Sequence, residues 1–141
     1  MDQLEAATPA EVATPPRLAD ARKTRAEADE ETVADLDERV EDLLALLGRA
    51  HTQSILRLFA VEGGPWRFSE LEERVDASPH TISKRLSELT DAGLLERHAY
   101  DESPPRVEYT WTESAVDLAP AFHAMYDWAL AHDPWPADGE G

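Results

Sequence analysis

The sequence contains no cysteine. That single absence removes disulfides, thiolate metal sites, cysteine nucleophiles and thiol-based redox sensing together. Lysine is almost missing as well: of 13 basic residues only Lys23 and Lys84 are lysines, and the rest are arginines. No apolar run approaches the ~18 residues a membrane helix needs. The start, MDQLEAATPAEVATPP, lacks the basic head and apolar stretch of a secretory signal, so a cytoplasmic protein is expected. Glycine-rich phosphate loops and a nucleophile elbow are absent too. The histidines, His51, His80, His98, His123 and His132, form no His-x-x-x-His pair and suggest no metal site. No enzyme, no cofactor and no metal is expected.

What the chain has in excess is acid. Thirty Asp and Glu residues give a net charge of −17 across 141 residues. Two readings of that charge stand. Acidic excess with few lysines matches proteins of extreme halophiles, which work in molar salt. At ~1 M salt the Debye length is only ~3 Å, so distant like charges scarcely feel a polyanion. Taken literally, the same charge repels nucleic acid and attracts basic proteins.

The length suits one compact domain and a tail. Residues 1–31 are rich in Ala, Glu, Pro, Thr and Asp without apolar periodicity, and are expected to form a disordered acidic tail. From Val33 the pattern changes. Val33, Leu36, Val40, Leu43, Leu44 and Leu47 recur at three- and four-residue steps, predicting a helix that Gly48 ends. Ile55, Leu56, Phe59 and Ala60 mark a second helix, stopped by Gly63-Gly64-Pro65. Trp66-Arg67-Phe68 reads as a short extended piece. Ser69 is placed as the cap of a short helix, with Glu72 completing a capping box.

Asp76-Ala77 makes a tight turn, and Ser78 with Pro79 opens a helix that reaches about residue 92. Residues 94–100 and 106–111 read as paired strands around a Pro-rich turn. Thr112 caps a last helix, which Pro120 is expected to kink. The fold class is therefore mainly α with a small β hairpin (α+β), a winged helix-turn-helix over residues 32–132. Residues 133–141 are expected to be a flexible tail.

On the helix from Pro79, Ile82, Leu86 and Leu89 share one face and predict its buried side. His80, Thr81, Lys84, Ser87 and Glu88 lie opposite, with Ser83 and Arg85 on the flanks. Short hydroxyls and long cations suit base edges and phosphates in a major groove. A polar outer face is also what any solvated helix carries, and Glu88 and Asp91 dilute its positive charge.

The neighbouring strings decide between these. Arg67-Phe68-Ser69-Glu70-Leu71, then SPHTISKRLSEL from Ser78 to Leu89, then Asp91-Ala92-Gly93-Leu94-Leu95-Glu96-Arg97 resemble the HxlR family of winged-helix transcriptional regulators. So do Tyr100, the wing string Pro104-Pro105-Arg106-Val107-Glu108-Tyr109, and Leu118, Pro120 and Trp128. The wing string is the most specific of them. The likeness covers about Leu43 to Trp128. It departs at Gly48-Arg49-Ala50, where the family usually has Gly-Lys-Trp. It departs again at Trp111, where the family has Leu, and at Ala115, where it has Gly. Oxidant-sensing members use a cysteine that this chain does not possess.

The resemblance implies sequence-specific binding of double-stranded DNA. The helix at about 79–92 would enter the major groove, and the wing at about 101–106 would meet the backbone or minor groove. DNA-contacting candidates are His80, Thr81, Ser83, Lys84, Arg85, Arg106 and Arg67. For Arg106 the alternative is pairing with Glu108 or Glu102 across the hairpin. For Arg67 it is anchoring of the domain's helices. The resemblance also implies a homodimer through the terminal helices, with Val33, Leu36, Val40 and Leu43 on one and Phe122, Met125, Tyr126 and Trp128 on the other. Either stripe could instead be intramolecular core. The rival function is an acidic winged-helix module that binds a protein. Any small-molecule effector is unknown from the sequence.

Overall fold

The computed structural model describes residues 16–132. The terminal stretches 1–15 and 133–141, parts of the expected tails, lie outside the described residues. The chain divides into two compact units, one up to Leu44 and one from Ala45.

The first unit holds α1 (Pro16–Glu27) and most of α2 (Glu30–Leu47). Helix α1 occupies part of the stretch expected to lack structure. Its residues are largely strong helix formers, Ala, Arg, Lys, Leu and Glu, so local propensity supports a helix where no apolar stripe exists. The Arg25 guanidinium donates to both carboxylate oxygens of Asp37 at 2.8 and 3.0 Å, joining α1 to α2. Asp29 caps α2 by accepting from the Thr32 N–H at 2.7 Å, and that bond lowers its carboxyl pKa.

The second unit holds α3 (Thr52–Glu62), β1 (Trp66–Arg67), α4 (Phe68–Arg74), α5 (Pro79–Asp91), β2 (Leu95–Tyr100), β3 (Arg106–Trp111) and α6 (Glu113–Ala131). The strands form one antiparallel sheet in the order β1-β3-β2, so the hairpin gains a third, two-residue strand. Register runs from Leu95 opposite Trp111 to Tyr100 opposite Arg106, and Trp66 faces Tyr109.

Pairing of Arg67 with Glu108 shifts the start of α4 from the expected position. Arg67 stays extended and acts as the N-cap, so the helix begins at Phe68 and not after Ser69. Glu70, not Glu72, reaches back and accepts from the Arg67 backbone N–H at 2.8 Å. A guanidinium offers no acceptor, so only the acid half of a capping box forms.

The core is apolar and continuous. Ile55, Leu56, Leu58 and Phe59 of α3, Leu71 of α4, Ile82, Leu86 and Leu89 of α5, Leu94, Leu95, Ala115 and Phe122 are all buried. Trp111 stacks on Phe59 with centroids 6.1 Å apart and planes 8° from parallel. Helix α3 ends at Gly63, whose φ of +76° is a left-handed conformation that residues with a side chain rarely adopt. The Glu62 carboxylate there pairs with Arg74, and that hydrogen bond holds its pKa below the usual range. Thr112 caps α6 by accepting from the Ala115 N–H, while its hydroxyl donates to the Gly93 carbonyl at 2.7 Å. One side chain thus fixes α6 to the turn that follows α5. Helix α6 runs on past Pro120 to Ala131.

Candidate nucleic-acid interface

Helix α5 owes its sharp start to Ser78. The Ser78 hydroxyl oxygen accepts from the Thr81 N–H at 3.1 Å, and Pro79 occupies the first helical position. Ser78→Ala is expected to lower stability by ~1 kcal/mol, measured as the shift in a denaturant midpoint. A midpoint unchanged within error would mean the cap is idle. At the far end Gly93, at φ +83°, turns the chain into β2. The helix packs against α4 and β2 through Ile82, Leu86 and Leu89, each 0% exposed. Its opposite face is therefore held outward by a rigid inner one.

On that outer face His80, Ser83, Lys84 and Ser87 are exposed. Lys84 enters none of the ion pairs found among the described residues. Thr81 is half-buried, and its hydroxyl accepts from Ser78 at 3.0 Å while keeping its own proton to donate. Together these give the turn-proximal half of α5 a small, neutral-to-positive surface.

Arg85 is placed differently from the expectation of a free cation beside the groove. Its Nε–H donates to the Ala50 carbonyl at 2.9 Å, and its terminal nitrogen to Glu88 at 2.9 and 3.1 Å. Its side chain is only 14% exposed. Glu88 also receives Arg49 at 2.8 Å. The three side chains form a hub between the α2–α3 turn and the last turns of α5. Arg85 sits at i,i+3 from Glu88, so that half of the hub was readable from spacing. Arg49, 39 residues away, was not.

The wing arginine is likewise engaged. Arg106 donates to Glu102 at 2.9 Å and to Glu108 at 2.8 Å, and its guanidinium lies 4.1 Å from the Tyr100 ring centroid. This is the cross-hairpin pairing foreseen as the alternative to a phosphate contact. The hydrogen bond to Glu102 raises its pKa, and Glu108 adds to that. Arg67 is exposed, and its side chain enters none of the ion pairs found among the described residues. Arg67 and Arg106 nonetheless line one cleft of about 480 Å³, shared with Ser69, Glu102 and Pro105. That cleft opens between the start of α4 and the wing tip.

The residues expected at a dimer face divide. Phe122 is buried in the second unit's own core. Met125, Tyr126 and Trp128 are exposed on α6, beside Leu130. On α2, Leu36 and Val40 are exposed, while Val33 and Leu43 are half-buried. A smaller apolar cleft of about 190 Å³ lies between α3 and α6, lined by Leu56, Ala60, Phe122 and Tyr126 among others. Among the described residues no group of three or more potential metal ligands gathers. Among them, too, no helix is long and apolar enough to cross a membrane.

Known proteins resemble this chain in sequence and in fold. An HTH-type transcriptional regulator of Halalkalibacterium halodurans is 35% identical over 88 residues, which is 62% of this chain and 77% of that one. The HTH-type transcriptional regulator YodB of Bacillus subtilis is 33% identical over 92 residues, 64% of this chain and 80% of its own. The solved structure of reduced YodB superposes with a TM-score of 0.61 at 31% identity, over 68% of this chain and 93% of that one. The family pattern of HxlR-like helix-turn-helix proteins matches residues 46–134, and the chain belongs to that family.

Proposed function

We propose that the chain is a homodimeric transcriptional regulator that binds double-stranded DNA in a sequence-specific manner. DNA-binding transcriptional regulation is the activity of the HxlR-type relatives, and the winged helix-turn-helix carries it here. The observation that carries the reading is the Ser78-capped α5, fixed by a fully buried leucine-rich face and offering His80, Ser83, Lys84 and Ser87 outward. In this reading Lys84, His80, Ser83 and Thr81 reach base edges or flanking phosphates. Arg67 and Arg106, on one cleft, meet the backbone. Arg85 orients α5 through Ala50 and Glu88.

Exposed apolar side chains at Leu36, Val40, Met125, Trp128 and Leu130 support self-association. On α2, Val33, Leu36, Val40, Leu43 and Leu47 fall at alternating three- and four-residue steps, the spacing of a two-stranded helical seam. A two-fold pair would set two α5 helices about one DNA turn apart on a pseudo-palindromic site. The acidic composition fits a halophile's cytoplasm, where molar salt screens the body's charge from DNA. Some relatives are described in reduced and oxidised forms, such as the redox regulator HypR. Without cysteine, thiol sensing is closed to this chain.

The internal pairing of Arg85 and Arg106, with the acidic net charge, favours a protein-binding module instead. The test is selection from a random duplex pool by the full chain in ~1 M KCl, with mass in solution read by sedimentation. A palindromic consensus bound by a dimer is expected, and Val40→Asp should reduce both dimer and affinity. No enriched sequence at any salt would return the protein-binding reading to first place.

A further inference from the structure

Three arginines around the proposed DNA-facing surface, unlike Arg67, do not stand free: the structure gives them acidic partners of their own. Glu88 holds Arg49 and Arg85, and Glu102 with Glu108 holds Arg106. The partners of Arg106 are not equivalent. Glu108 lies on β3 and its side chain is 13% exposed, whereas Glu102 lies in the wing loop and is 48% exposed. Glu102 is the partner that solvent can take.

We propose that Glu102 is a displaceable counter-anion that makes wing binding an anion exchange and so flattens the salt dependence of the protein–DNA complex. This rests on the reading of Arg106 as a backbone contact. In the exchange the Arg106 N–H releases the Glu102 carboxylate and donates to a phosphate oxygen in its place. The phosphate sheds its condensed counterion, and the freed carboxylate takes up a cation from solution. Charge balances: one cation leaves the DNA and one joins the protein.

The consequence is quantitative. Each phosphate neutralised normally steepens the fall of log K against log salt by ~0.9. Uptake of a cation by Glu102 offsets most of that, leaving the wing contact nearly salt-neutral. A chain carrying 30 acids and 13 bases would thereby keep a backbone contact where salt erases ordinary ones. Glu108 has a different part. It stays on the guanidinium and, with the Tyr100 ring 4.1 Å away, keeps Arg106 aimed at the wing's edge during the exchange.

The experiment uses the full chain and a labelled duplex recovered by the selection described above, titrated by fluorescence anisotropy from ~0.2 to ~2 M KCl. Glu102→Gln keeps the side chain's size and removes the anion. The expected result is affinity about tenfold tighter at ~0.2 M, a gain that vanishes near ~2 M, and a slope steeper by ~1. Asp101→Asn removes the same charge one residue away and should leave the slope alone. In an Arg106→Gln background the Glu102→Gln effect should disappear, because both act through one pair. Equal effects from Asp101→Asn, or a Glu102→Gln effect that persists without Arg106, would reduce Glu102 to general repulsion and overturn the proposal. So would an unchanged slope. Failure of wild type to bind any selected duplex would instead remove the DNA-binding reading beneath it, so the two failures are distinct.

Discussion

Leu86→Ala is expected to destabilise the domain by about 2–5 kcal/mol, more than any change on the outer face of α5. Leu86 is 0% exposed and lies between Ile82 and Leu89, also 0% exposed, on the side of α5 that packs on α4 and β2. Truncation removes three carbons from a close-packed interior and leaves a cavity whose walls lose their contacts. Neighbouring leucines can collapse only partly, since α5 is pinned at one end by the Ser78 cap and at the other by the Arg49–Glu88–Arg85 hub. A domain of this size has about 5–15 kcal/mol in total, so the variant should melt roughly 10–20 °C lower. Thermal unfolding by circular dichroism in molar KCl reads this directly. Val61→Ala, at an exposed position on α3, should stay within ~0.5 kcal/mol of wild type. A melting temperature for Leu86→Ala within a degree or two of wild type would mean that α5 is not seated on a core.

Leu86 also marks where sequence and structure agree most closely, and the reason is physical. Periodic burial writes itself into a sequence, because a helix of fixed pitch must place its apolar residues every three or four positions. Hence Ile82, Leu86 and Leu89 were legible, as were the Ser78 and Thr112 caps and the alternating strand Arg106–Trp111. The first turn of α4 was misplaced because Ser69 looked like the better cap. Sheet pairing of Arg67 with Glu108, a contact between residues 41 apart, overrode that local preference. Helix α1 has no apolar periodicity in its sequence, so the pattern that reveals the other helices could not find it, and its support comes from helix propensity and the Arg25–Asp37 pair. Among the functional candidates, exposure was more readable than engagement. The Arg85–Glu88 spacing and the acids beside Arg106 offered those pairs, but residue type alone did not choose between pairing and a free cation. The reach of Arg49 to Glu88 and of Arg85 to the Ala50 carbonyl had no local signal. Phe122 fell into the dimer group because the apolar residues of α6 do not announce which of them turn inward, and Phe122 belongs to the domain's own core.

Lys84→Ala is expected to weaken binding to a selected operator by about tenfold to a hundredfold, or ~1–3 kcal/mol, without changing the fold. Lys84 is exposed on the outward face of α5, one turn beyond His80, and no carboxylate claims it among the described ion pairs. It is thus the helix's one lysine or arginine that can reach DNA without first giving up a partner, in contrast to Arg85. The same measurement separates two modes of contact. If Lys84 reads a base edge, the loss is confined to duplexes carrying the preferred base pair, and discrimination at that position relaxes. If it meets a phosphate, binding weakens on every sequence alike, and the log K–log salt slope becomes shallower by ~1. Arg85→Ala should behave otherwise. Its guanidinium is spent on the Ala50 carbonyl and Glu88, so removal leaves a mostly buried carboxylate with only Arg49 beside it. The loss then falls on stability, with affinity recovering at lower temperature. Should Arg85→Ala cost affinity at full stability while Lys84→Ala costs nothing, the groove-facing side of α5 has been assigned to the wrong edge of the helix.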